Sequence, residues 1–350
     1  MEKKTCITFF FLMSFAVSTE LVYGVQKPGE KSFDRLKLFI FGDSYADTGN
    51  LPSSTSCSWK QPYGITFPGK PSGRFSDGRV LTDYITSFLG IRSPVPYEWK
   101  KLEEKWIKNG MNFAYGGTGV FNTLVDQPNM TAQINFFQQL VQENVYTRNN
   151  LSSSSIVLVS LSGNDYGTYF AKNSSLKGLE AFTKSVIDQL VLNLKRIKGF
   201  GVQKVAVTGI GPLGCLPSLT ASTSYQNCSE AGNNVAQFHN QLLQQNLQRL
   251  NNETGASSVF VFLDLYSAFS SALKLKQNHP ENLTFKNGLK PCCLGVNGEG
   301  SCGNVDKNGT KEYVVCENPK QSFFWDSIHP SDQGWRAVFW ALKRSLPSLL

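Results

Sequence analysis

Gly42-Asp43-Ser44-Tyr45-Ala46-Asp47-Thr48-Gly49-Asn50 follows directly on the apolar run Leu36 to Phe41. Such a run reads as a buried strand, and it delivers Ser44 to the strand's carboxyl edge, where α/β folds place their chemistry. A hydroxyl is a poor nucleophile at neutral pH, so a catalytic serine needs a general base and a third group that fixes the base's tautomer. The far end of the chain supplies both in Trp325-Asp326-Ser327-Ile328-His329-Pro330. Of three histidines, His239 lies within an amphipathic helical pattern and His279 has no carboxylate spaced like Asp326. The base is therefore assigned to His329, Asp326 orients it, and Ser44 is the nucleophile of an acyl-transfer reaction.

Two further sequence blocks extend this constellation to four. Asn112-Phe113-Ala114-Tyr115-Gly116-Gly117 and Gly163-Asn164-Asp165 stand, in that order, between the Ser44 block and the Asp326 block. With them the chain resembles the plant-type GDSL esterase/lipases, within the wider SGNH hydrolases, from Phe41 to Trp335. Two positions depart from the family pattern. Tyr45 stands where the name-giving leucine would be, and Ser162 where the third block usually has glycine. The resemblance implies a secreted serine esterase that works through an acyl-enzyme on Ser44 and needs no cofactor or metal. It also implies oxyanion donors from the second and third blocks, the backbone N–H of Gly117 and the side-chain amide of Asn164, beside Ser44's own N–H. Gly116 competes with Gly117 for this role. An acyltransferase using an alcohol acceptor and a non-catalytic binding protein on the same fold are the alternatives.

Each residue also has a plainer reading. Ser44 with Asp47 three positions on imitates a capping box at a helix start. Asp77, in Arg74-Phe75-Ser76-Asp77-Gly78-Arg79, is expected to cap the following helix, with Arg74 and Arg79 paired or solvated, and these are left out of the site together with Asp165. Tyr63, Phe67, Phe75, Tyr97, Trp99 and Phe121 either line an ester pocket or pack long connections over the sheet.

The elements that must position these residues follow from periodicity. Leu36 to Phe41, Ile156 to Leu161, Val205 to Val207 and Val259 to Leu263 read as parallel strands buried on both faces. Helical stripes fall at Ile134, Phe137, Val141 and Val145; at Ile187, Leu190, Leu194 and Ile197; and at Val235, Phe238, Leu242 and Leu250. Ser331 is placed as the N-cap of a final helix carrying Trp335, Val338, Phe339 and Leu342. Alternating strands and helices predict an α/β fold, a three-layer α/β/α sandwich around a central parallel sheet, flavodoxin-like in its layering. Residues 25–350 are expected to form a single domain.

Lys3 and Lys4, the apolar stretch Ile7 to Val17 and the small residue Gly24 read as a signal peptide over residues 1–24. The stretch is too short to span about 30 Å of hydrocarbon, so stable membrane insertion is not expected. An oxidising compartment makes disulfides the default for Cys57, Cys215, Cys228, Cys292, Cys293, Cys302 and Cys316, with one left over. Cys215 and Cys228 flank a Ser- and Thr-rich loop and are candidates to pair. Adjacent Cys292 and Cys293 are not expected to pair with each other. Glycosylation acceptor patterns occur at Asn129, Asn150, Asn173, Asn227, Asn252, Asn282 and Asn308. The net charge of +8 suits solubility or an anionic surface or polysaccharide. No basic run with interleaved aromatics points to nucleic acid. The protein is expected to be a monomer acting on a small-molecule, lipid or wall-polysaccharide ester.

Overall fold

The computed structural model describes residues 36–101, 104–161, 163–173, 175–255, 258–274, 284–296 and 301–350. Residues 1–24, read from the sequence as a signal peptide, Ser162, His279 and Asn282 lie outside the described residues, as does the Asn173 side chain. Six parallel strands form the sheet: β1 (Lys37–Gly42), β2 (Val95–Pro96), β3 (Gly110–Asn112), β4 (Ser155–Ser160), β5 (Lys204–Thr208) and β6 (Phe260–Leu263), in the order β2-β3-β1-β4-β5-β6. Each of the four apolar runs forms a strand displaced by at most a residue or so. β2 and β3 have no apolar run to announce them, because two or three residues are too few for a periodic pattern.

Alternation along each strand splits the core into two layers. Phe39, Phe41, Val157, Val159, Val205 and Val207 face α2 (Met130–Gln142), α4 (Leu179–Gly199) and α5 (Glu230–Thr254). Leu38, Ile40, Ile156, Leu158, Ala206 and Leu263 face α1 (Leu81–Phe88), α6 (Leu265–Leu273) and α7 (Asp332–Leu342). Helix α3 (Asn164–Asn173) follows β4 directly. This is the expected three-layer α/β/α sandwich. Phe39 and Phe41 are fully buried, so truncating either to alanine would cost about 3–5 kcal/mol.

Two of the stripes are shifted. Helix α2 stops at Gln142; Asn144 then takes a left-handed φ of 60°, which leaves Val145 exposed in the connection. Helix α5 buries Val235, His239, Leu243, Leu247 and Leu250, while Phe238 and Leu242 are only half-buried. In α5 the neighbouring Leu242 and Leu243 made the one-residue rotation invisible to pattern alone.

The sheet's topology marks its own crevice. Connections from β1 lead toward β2 and β3, those from β4 toward β5 and β6, so ligands belong beyond the carboxyl ends of β1 and β4. Gly42 ends β1 opposite Ser160. A Cβ on Gly42 would lie 2.2 Å from the Ser160 carbonyl oxygen, so the residue that launches the Ser44 turn has to be glycine.

Ser331 caps α7 as expected, its Oγ accepting the Gly334 N–H at 2.9 Å. Asp77 does not cap α1, whose N-cap is Val80. It accepts the N–H of Asp332 at 2.7 Å, at the start of α7, while Asp332 accepts the Arg79 N–H at 2.7 Å. These reciprocal bonds tie the segment around Phe75 to the helix that follows His329. Arg74 forms a two-pronged ion pair with Asp83, both bonds at 2.8 Å.

Disulfides join Cys215 to Cys228, Cys292 to Cys316 and Cys293 to Cys302, leaving Cys57 free. The last two staple a hairpin of β7 (Cys293–Gly295) and β8 (Tyr313–Val315). Cys292 and Cys293 donate their N–H groups to the carbonyls of Phe324 and Trp325, at 3.0 and 2.7 Å. The hairpin therefore buttresses the segment leading into Asp326. Among the acceptor asparagines, Asn150, Asn227, Asn252 and Asn308 are exposed, whereas Asn129 is half-buried and caps α2 by accepting the Ala132 N–H.

Reducing the two hairpin disulfides should release this buttress while the sheet persists, since bridges of this kind contribute about 2–4 kcal/mol and act locally here. The expected outcome is faster amide exchange over residues 292–330 with unchanged far-UV circular dichroism. Unaltered exchange after complete reduction would show that the segment holds itself.

Candidate active site

The Ser44 turn carries no helix. Ala46 and Asp47 donate their N–H groups to the Asp43 carbonyl, at 3.0 and 2.8 Å, closing one turn that does not propagate. The capping-box reading is therefore corrected: Ser44 gains nothing from a helix dipole, and Asp47 looks elsewhere. Its Oδ1 accepts the N–H groups of Gly49 and Asn50 at 2.8 Å each, and its Oδ2 accepts that of Gly116 at 3.0 Å.

At the other end of the chain, Asp326 to His329 form a turn fixed by its own backbone. The Trp325 N–H bonds the His329 carbonyl at 2.7 Å, and Asp326 Oδ1 accepts the N–H groups of Ile328 and His329 at 2.9 and 2.8 Å. His329 Nδ1 lies 2.8 Å from both Asp326 carboxylate oxygens, and His329 Nε2 lies 2.8 Å from Ser44 Oγ. The three residues that the sequence singled out are thus in hydrogen-bonded order, all buried. Burial alone would raise the Asp326 carboxyl, but the facing His329 ring and the two backbone N–H groups outweigh it and hold the carboxyl below its ordinary value. An anionic Asp326 keeps the proton on Nδ1, which leaves Nε2 free to accept one from Ser44.

The second and third blocks converge on the same turn. Asn164, at the start of α3, donates from Nδ2 to Asp43 Oδ2 at 3.2 Å and to the Thr118 carbonyl at 2.9 Å. Both amide protons are committed. The opposite amide orientation would set its oxygen against a carboxylate and a carbonyl, which is why this one is adopted. Gly116 has its N–H engaged by Asp47, whereas among the described residues neither the Gly117 nor the Ser44 N–H has an acceptor. Gly117 has a φ of +80°, and a Cβ there would press on Val125 at 3.0 Å. A side chain at this position would be strained by its backbone and blocked by its neighbour.

Several residues that hold the site were not legible as such. Asp165 accepts the N–H groups of Val120 and Phe121, each at 2.9 Å, and so pins the loop after Gly117. Gln133 on α2 brackets Gly42, its Oε1 accepting the Gly42 N–H and its Nε2 donating to the Gly42 carbonyl, both at 2.9 Å. Burial raises the Asp165 carboxyl and pushes Asp47 up to about 6, in both cases against the pull of the N–H groups they accept. The aromatic candidates divide. Phe75 stacks on the His329 ring at 4.9 Å and Tyr63 donates to Asp326, while Tyr97 packs on Phe113 and Phe136 in the core. Phe67 lies under the Arg79 guanidinium, Trp99 is exposed, and Phe121 packs against the core. Nothing in the spacing of Tyr63, Phe75 or Gln133 could have assigned them, because each acts across more than sixty residues of intervening chain or a loop without periodicity.

A parallel α/β sheet with serine, histidine and aspartate in hydrogen-bonded order beyond its carboxyl edge has the architecture of a serine hydrolase. The family model described as GDSL-like Lipase/Acylhydrolase matches residues 38–342, and the chain belongs to that family. It is 50% identical to a GDSL esterase/lipase of Arabidopsis thaliana over 98% of this chain and 98% of the relative, and 49% identical to a second from the same plant over 97% and 96%. It is 30% identical to acetylajmalan esterase 2 of Rauvolfia serpentina over 86% of this chain and 87% of that protein. The protein is a carboxylic ester hydrolase. Among the described residues no helix is long and apolar enough to cross a membrane.

His239 is not part of this site. It is buried on α5 with Nδ1 2.8 Å from the Tyr166 hydroxyl, and burial pushes its ring down to about 4. Because the unfolded chain takes up that proton from about pH 6.5, folding loses about 3 kcal/mol at this residue as pH falls from 6.5 to 4. Asp47 has the opposite sign. Its folded form binds the proton first, so its contribution is present at pH 4 and lost as pH rises to about 6. The two offset each other in the wild type. Replacing His239→Gln should therefore make the protein about 3 kcal/mol more acid-tolerant relative to wild type at pH 4 than at pH 7, read from denaturant unfolding at both values. A pH-independent difference between the two proteins would rule out a neutral buried His239.

Proposed function

We propose that Ser44 is the nucleophile of a two-step ester hydrolysis. The observation that carries this reading is the unbroken chain from Ser44 Oγ through His329 to Asp326, with every link at 2.8 Å. As Ser44 Oγ bonds to the ester carbonyl carbon, its proton passes to His329 Nε2. Collapse of the tetrahedral intermediate breaks the bond to the alkoxy oxygen, which takes that proton and leaves as the alcohol. Water then attacks the acyl-enzyme, gives its proton to the same nitrogen, and the acid departs as the Ser44 hydroxyl is restored. Asp326 stays ionised throughout and stabilises the imidazolium.

The negative oxygen of the intermediate is stabilised by the N–H groups of Ser44 and Gly117 and by the Asn164 amide. Gly117 is favoured over Gly116 because the Gly116 N–H already belongs to Asp47. The Asn164 amide reaches the oxyanion by exchanging its longer bond, that to Asp43 at 3.2 Å. Substrate binding tightens contacts of this kind.

The same reading places the protein outside the cytosol. The basic, then apolar, then small-residue pattern of residues 1–24 supports export, and three disulfides are consistent with an oxidising compartment. The substrate is a carboxylic ester presented from solution or from a surface.

Ser44→Ala should abolish hydrolysis of nitrophenyl esters and the mass adduct of a serine-directed phosphonate, with the fold intact. Asp326→Asn should lower kcat by roughly 10⁴-fold, the loss seen in the serine protease triad. Asn164→Ala should cost less, on the order of 10²- to 10³-fold. Steady-state kinetics of the three variants test this ordering. Substantial turnover in Ser44→Ala would refute the nucleophile, and an unimpaired Asn164→Ala would remove that residue from the oxyanion site.

A further inference from the structure

Two tyrosine hydroxyls reach the Asp326–His329 turn from different segments, and neither is accounted for by the transfer of protons just described. Tyr63 donates to Asp326 Oδ2 at 2.8 Å from the loop ahead of Phe75. Tyr45, the residue next to the nucleophile, donates to the Ile328 carbonyl at 2.9 Å. Both side chains are buried, 3% exposed. Their rings are held by aromatic neighbours: Tyr63 stands edge-on to Phe75 and Trp325, and Tyr45 edge-on to Trp335 at 4.9 Å.

We propose that Tyr45 and Tyr63 are positioning residues that clamp the Asp326–His329 turn against Ser44, Tyr63 also setting the proton affinity of His329 through the Asp326 carboxylate. This rests on the assignment of Ser44 as nucleophile.

The turn's geometry explains why a clamp is needed. Its three successive carbonyls, of Ser327, Ile328 and His329, are bonded by the Ser218 N–H at 2.9 Å, the Tyr45 hydroxyl and the Trp325 N–H at 2.7 Å. Of these three bonds, the Tyr45 bond alone comes from the Ser44 turn, and it adds to the His329 Nε2–Ser44 Oγ contact between the same two turns. Leucine, the family's residue at position 45, has no donor, so the departure from the name-giving motif exchanges a purely apolar contact for a hydrogen bond between nucleophile and base segments. Tyr63 completes the coordination of the Asp326 carboxylate, whose other donors are the N–H groups of Ile328 and His329 and the His329 ring. Each hydroxyl stays protonated, since burial, with the nearby Asp326 charge, lifts both phenols well above their ordinary value. The other ionisable groups that face this assembly are Asp43, which bears on the Tyr45 hydroxyl, and the Cys57 thiol behind Tyr63. Tyr45→Phe leaves both groups in place, whereas Tyr63→Phe also removes the hydrogen bond between the Tyr63 hydroxyl and the Cys57 thiol, a group that burial keeps protonated.

The two hydroxyls make separable predictions. Removing the Tyr63 hydroxyl leaves more negative charge on Asp326 for the imidazolium, so His329 holds its proton more strongly. Removing the Tyr45 hydroxyl frees the turn without touching the carboxylate.

The test is the pH dependence of kcat and KM for Tyr45→Phe, Tyr63→Phe and Ser44→Ala on a soluble nitrophenyl ester, with melting temperatures measured alongside. Both phenylalanine variants should lose about tenfold in kcat, the worth of one buried hydrogen bond, with KM little changed. Tyr63→Phe should move the acid limb of kcat/KM upward by about half a pH unit or more, and Tyr45→Phe should leave it in place. Wild-type kcat in both variants, with Ser44→Ala inactive, overturns the clamp and leaves the nucleophile standing. An unmoved acid limb in Tyr63→Phe reduces that residue to packing and overturns its part. Activity in Ser44→Ala overturns the reading on which the clamp rests.

Discussion

A serine at the edge of a sheet becomes a nucleophile only if a base reaches it, and the proposed base, His329, comes from 285 residues further along the chain. The 2.8 Å contact between Ser44 Oγ and His329 Nε2 is the constraint around which the other features are arranged. One partner stands on the turn that follows the central strand β1, whose residues are buried on both sides by the two core layers. The other stands on a turn between the disulfide-stapled hairpin and the N-cap of α7. Neither side can drift without disturbing packing that is worth several kcal/mol per large side chain.

The polar groups beneath the site serve the same end at an electrostatic cost. Asp43, Asp47, Asp165 and Asp326 are all buried, and a buried carboxylate is tolerable only when its oxygens are bonded. Asp47 and Asp165 meet this condition by collecting backbone N–H groups from the loops at Gly49, Asn50, Gly116, Val120 and Phe121. The loops are thereby ordered, and among the described residues the Gly117 N–H, which lies between the two collection points in sequence, is left without an acceptor. A left-handed backbone that only glycine adopts without strain and charge in a low-dielectric interior are held together by one network, as expected where a site is organised before its substrate arrives.

Against this background the weaker expectations failed for local reasons. Asp77 looked like the cap of the helix that follows it, yet it bonds the first N–H of α7. A cap is recognised by proximity in sequence, and this one acts across the whole domain. The Ser44 and Asp47 pair matched a capping box in type and spacing, but no helix follows, because Asp47 finds better donors in Gly49, Asn50 and Gly116.

What the amino-acid order determined by itself was the local part. Apolar runs specified four of the six strands, stripes of period 3.6 located the long helices though one overran its helix end by three residues, and the scarcity of histidine together with Asp326 three positions before His329 singled out the proposed base and its orienter. These signals are local because side-chain periodicity and short turns are properties of neighbouring residues. Only the tertiary structure decided which glycine keeps a free N–H, how the cysteines pair, and that Tyr63, Tyr45, Phe75 and Gln133 stand around the site. Those are contacts between segments that the sheet order brings together, and the energy of such a contact depends on a geometry that no spacing along the chain encodes.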